Sequence, residues 1–82
     1  MGKPPREKPK RLARKLLTIR TELGVSQTEM ARLLELKQTY TVVSGYERGT
    51  REPSLLTLLR YARLAGASVE SLIDDKMRLP RG

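Results

Sequence analysis

Eight cations near one end of the chain set the chemistry it can do. Lys3, Arg6, Lys8, Lys10, Arg11, Arg14, Lys15 and Arg20 stand within the first 20 residues against the single acid Glu7, a net +7. Residues 21–82 carry nine basic and eight acidic side chains, a net +1. Nearly all of the formal charge of +8 is therefore gathered on the N-terminal quarter. A concentrated positive field suits a polyanion such as nucleic acid, and the bland alternative is a solubilising tail. Covalent chemistry has little to work with. The 82 residues include no histidine and no cysteine. That excludes Ser-His and Cys-His nucleophiles, thiolate metal sites and disulfides, and a zinc site built from carboxylates alone is not expected. Asp74 and Asp75 read as solvated acids rather than as a cation site. No cofactor and no enzymatic activity are expected.

Such a length has room for one domain with a modest core. No apolar run approaches the ~20 residues of a membrane span, and no signal sequence is expected after the basic N-terminus. With cysteine absent, a reducing cytoplasm is the expected setting. Phenylalanine and tryptophan are missing, and the apolar set of Leu, Val, Ile and Ala suits small packed helices.

Periodicity predicts five helices and no strand. Residues 1–8 contain Pro4 and Pro5 and no apolar repeat, and they read as a disordered basic arm. A first helix is expected from Pro9, with Leu12, Leu16, Ile19 and Leu23 inward and Gly24 as its stop. Ser26 with Glu29 forms a capping box for a second helix, whose inward residues are Met30, Leu33 and Leu34. A polar turn over 35–39 leads to a third helix near 39–47, capped by Thr39 or Thr41 and stopped at Gly49. Ser54 caps a fourth helix with Leu55, Leu58, Leu59 and Ala62 on one face, and Gly66 ends it. Ser68 caps a short fifth helix carrying Val69, Leu72 and Ile73. Tyr61 is either core edge or dimer surface, and Arg60 and Arg63 read as a solvated face. The domain is expected over 9–75, with 76–82 a flexible tail.

Two short helices joined by a turn, braced by one helix before and two after, form a helix-turn-helix arrangement. Its second helix fits the DNA major groove, and its first crosses the backbone. The residues themselves resemble the lambda-repressor-like, or XRE-type, domain. The likeness spans about residues 10–75 and rests on Arg20, Gly24-Val25-Ser26-Gln27-Thr28-Glu29-Met30-Ala31, Val43-Ser44-Gly45-Tyr46-Glu47-Arg48-Gly49, Arg51-Glu52-Pro53-Ser54 and Ala67 to Ile73. The fold it implies is all-α: a compact five-helix domain with a disordered basic arm.

The resemblance also implies roles. Ser26 and Gln27 would contact phosphate, with Gln27 also bracing the third helix. Val43 and Tyr46 would anchor that helix to the core. Arg20 and Glu47 would form a structural ion pair. Arg48, Thr50 and Arg51 would meet the backbone again. Apart from the resemblance, the charge of the arm gives its own expectation: Lys3, Arg6, Lys8 and Lys10 follow the phosphate backbone or enter a minor groove. Ala31 and Glu47 stand 16 steps apart, two more than the family pattern, and the turn lacks its usual glycine. Counting forward from Ala31 puts Lys37 and Gln38 at the groove. Counting back from Glu47 puts Tyr40, Thr41, Ser44 and Gly45 there, and this count rests on the stronger anchor. Gln38 can pair with adenine, Lys37 can approach guanine or phosphate, and Thr41 and Ser44 can bond base edges. The implied function is sequence-specific duplex binding by a transcriptional regulator, a repressor acting as a homodimer on an inverted repeat. The alternative is an antitoxin or adaptor whose main partner is another protein.

Overall fold

The computed structural model describes residues 9–37 and 40–80. Helices α1 (Leu12–Leu23), α2 (Gln27–Leu33), α3 (Tyr40–Arg48), α4 (Leu55–Ala65) and α5 (Val69–Ile73) make it all-α among these residues. The arm and the expected cap Thr39 lie outside the described residues. Three serines start helices by one device. The hydroxyls of Ser26, Ser54 and Ser68 accept from the amides of Glu29, Thr57 and Ser71, each satisfying a donor the first turn leaves orphaned. Gly24, Gly49 and Gly66 sit at positive φ, where a helix turns off its axis.

The core gathers Leu12, Leu16, Ile19, Met30, Leu34, Val43, Leu58, Tyr61, Ala62 and Leu72. Tyr61 is fully buried, not a dimer surface, and its ring meets Tyr46 edge-on at 6.4 Å between centroids. Several apolar residues expected inside are outside. Leu23, Leu33, Ile73 and above all Leu55, at 75% exposure, face solvent. On α4, Leu58 and Ala62 of the expected row are buried together with Tyr61, while Leu55, the first residue of the helix, stays outside.

The start of α1 also differs from expectation. The helix begins at Leu12, not Pro9, and its N-cap residue Arg11 supplies no side-chain cap. The cap comes from the far end of the chain. Both carboxylate oxygens of Asp75 accept backbone amides, from Lys10 at 2.9 Å and Arg11 at 3.0 Å. Those two bonds favour the charged form and hold the Asp75 carboxyl below its ordinary range. Asp75 is thus a helix cap and not a free solvated acid. One turn along, the buried Lys15 donates to the carbonyls of Ser71 (2.7 Å) and Asp74 (2.9 Å) at the end of α5. Leu79 packs on the core beyond it.

Candidate nucleic-acid interface

The helix pair α2–α3 is held by one carboxylate. Glu47, whose side chain is 5% exposed, receives Arg20 Nε at 2.6 Å and Arg20 Nη2 at 3.1 Å in a two-point fork. Gln27 Nε2 donates to the same Glu47 at 3.0 Å. A third Arg20 nitrogen donates to the carbonyl of Val25, in the link between α1 and α2. Residues from α1, the α1–α2 link, α2 and α3 thereby meet at one point. The Glu47 hydrogen bond is the main reason the Arg20 guanidinium is held above its usual range. Gln27, expected at phosphate, spends its amide N–H on this brace and is half-buried. The Ser26 hydroxyl is exposed and occupied as the α2 cap.

The turn after α2 closes without glycine. Glu35 takes φ 58°, the left-handed conformation, while the amides of Glu35 and Leu36 donate back to Arg32 and Ala31. A non-glycine residue there stores roughly 1–2 kcal/mol of strain. Arg60 offsets it from α4: its Nη1 donates to the carbonyl of Leu34 at 3.1 Å and its Nε lies 3.5 Å from the Glu35 carboxylate. Arg60 is therefore a brace for the turn, not part of a solvated face. Its separation in sequence from Leu34 gave no signal of this.

Burial sorts the candidates on α3. Tyr40, Thr41 and Arg48 are exposed and Ser44 half-exposed; they share one arc of the helix. Val42, Val43 and Tyr46 face the core. Gly45 departs from the expected groove-facing set. It is buried, because the side chain of Arg51 crosses it: a methyl at Gly45 would lie 2.9 Å from Arg51 Cγ and 3.0 Å from Cδ. Lys37 is exposed in the turn; Gln38 and Lys8 lie outside the described residues. Lys10, Arg48, Thr50 and Arg51 line one cleft between the start of α1 and the loop after α3. Cations from two distant parts of the chain meet there. Among the described residues no cluster of Asp and Glu is arranged to hold a metal ion, and no helix is long and apolar enough to cross a membrane.

Known proteins match this arrangement. The helix-turn-helix family matches residues 16–72. The antitoxin HigA1 of Mycobacterium tuberculosis, in two strains, is 34% identical over 68 residues, covering 83% of this chain and 44% of the antitoxin. The chain thus spans less than half the length of these curated relatives. Among solved structures, the P22 c2 repressor in complex with a synthetic operator superposes with a TM-score of 0.69 at 19% identity, over 78% of this chain and 94% of the repressor. The restriction-modification controller protein C.AhdI of Aeromonas hydrophila gives 0.64 at 32% identity, over 76% and 87%. A hypothetical transcription factor of Neisseria, NHTF, gives 0.65 at 28% identity, over 87% and 86%. By its matched residues, its braced α2–α3 pair and its five-helix fold, this chain belongs to the helix-turn-helix family of DNA-binding transcription regulators.

Proposed function

We propose that the protein represses transcription by binding a specific duplex site with α3 in the major groove. The observation that carries this reading is the exposed arc of Tyr40, Thr41, Ser44 and Arg48 on a helix locked from behind by Glu47. Hydroxyls on that arc can bond base edges, and Arg48, Thr50 and Lys10 lie where phosphates would flank the helix. Lys8 and its arm neighbours add attraction that salt weakens. The solved repressor bound to an operator supports the docking mode.

Two copies would read an inverted repeat with half-sites about 34 Å apart. The exposed Leu55 and Leu56 on α4 and Ile73 on α5 support a self-association surface there. Its working place is the compartment that holds the DNA, which we read as the cytoplasm. Selection from a random duplex library at near-physiological salt tests the function. An enriched inverted repeat is the expected result. Binding without enrichment that vanishes at moderate salt would reject it.

A second reading is supported by the likeness to an antitoxin: the chain holds a protein partner as well as DNA. Affinity purification from its own cells would then recover one partner in a fixed ratio, and recovery of the chain alone would set this reading aside.

A further inference from the structure

Gly45 lies four residues beyond Thr41, about 40° further around α3, at the edge of the exposed arc. A side chain at that position would reach out beside the arc, and here there is none. The space is taken by Arg51, which comes from the loop. Its Cβ, Cγ and Cδ all lie within 3.2 Å of where a Gly45 methyl would stand. The loop is fastened at the same residue. The Gly45 carbonyl accepts Thr50 N at 3.0 Å, Arg51 N at 3.2 Å and Thr50 Oγ1 at 3.3 Å. Both the backbone and the stem of Arg51 are thus set against one bare turn of α3, while Arg51 as a whole stays exposed.

We propose that Arg51 is the base reader at this edge of the interface: an arginine borne by the loop, laid over Gly45, whose guanidinium takes a guanine in the major groove. Gly45 is its positioning residue. Two physical points carry this. The fork of N–H donors on a guanidinium matches O6 and N7 of guanine. A long side chain whose first carbons are already packed loses less conformational freedom when it binds. The arc of α3 otherwise offers hydroxyls and Arg48, whose Nε is turned back toward the Ser44 carbonyl at 3.4 Å. The proposal rests on the reading of α3 as the groove helix.

The test compares duplex selection and competition binding for the wild type, Arg51→Ala, Gly45→Ala and the double variant. Arg51→Ala should keep the selected site except at one position per half-site, where the preference for guanine falls by about 5- to 150-fold. Gly45→Ala should push the Arg51 stem aside and lose preference at the same position. Its melting temperature should change little, because the helix propensity of alanine offsets part of the cost of displacing the Arg51 stem. In the Arg51→Ala background, Gly45→Ala should change the preference no further. A uniform loss on all duplexes with a flatter salt dependence would make Arg51 a phosphate contact and overturn the proposal. An unchanged guanine preference in Gly45→Ala would remove the positioning role. A wild type that selects no site fails earlier, at the function itself, and takes this proposal with it.

Discussion

Two charged fastenings hold this small domain, and they differ in how their buried charges are met: Glu47 by an opposite charge, Lys15 by backbone carbonyls. At the interface, Glu47 is nearly sealed from solvent and meets Arg20 and Gln27 through three short hydrogen bonds. At the junction of the chain ends, Asp75 caps α1 in the open, and beside it the buried Lys15 ties down the last carbonyls of α5. The first fastening lies behind α3 and fixes how the groove helix is presented. The second joins the start of α1 to the end of α5 and meets the candidate interface only through the backbone of Lys10. A buried charge must be paired, so breaking a buried pair one-sidedly costs far more than breaking an exposed one. The domain has put its sealed pair where orientation matters for function.

The largest effect should come from the sealed side. Glu47→Ala leaves Arg20 without its carboxylate, and roughly 3–5 kcal/mol of stability should be lost. Glu35→Ala, which removes an exposed carboxylate 3.5 Å from Arg60, should cost at most ~1 kcal/mol. Equal melting temperatures for the two variants would erase the contrast. Next is Lys15→Met, which keeps the buried stem and removes a charged donor from two carbonyls. The expected loss is roughly 1.5–3 kcal/mol by thermal or urea unfolding. A loss as large as that of Glu47→Ala would mean that the two fastenings are equivalent.

The smallest effect is the acid response of Asp75. Its carboxyl is depressed in the folded state by the Lys10 and Arg11 amides. The unfolded chain therefore takes up this proton first as pH falls, and the contribution of Asp75 is present above its unfolded value, near 3.9. It is lost as pH drops below that value through the lower folded one. Asp75→Asn should leave a shallower fall in melting temperature between pH 5 and 2 than the wild type shows. Identical acid profiles would remove Asp75 from the account.

The parts legible in the sequence were those whose signal is local. Three serine caps, three glycine stops and the core residues Leu16, Met30 and Leu72 follow from spacing, because a helix repeats every 3.6 residues and an orphan amide lies three residues from its cap. The ion pair of Arg20 with Glu47 was legible only through the family pattern, since no period connects two residues 27 apart. Which leucines stay outside was not legible, because a row of leucines on a helix does not say which way a short helix is rotated when it docks. Tertiary structure alone decided that Asp75 caps a helix 64 residues away, that Arg60 braces the strained Glu35 turn, and that Arg51 lies across Gly45. Each of these joins segments that are neighbours only once the core has closed, and their partners are chosen by distance in space rather than by position along the chain.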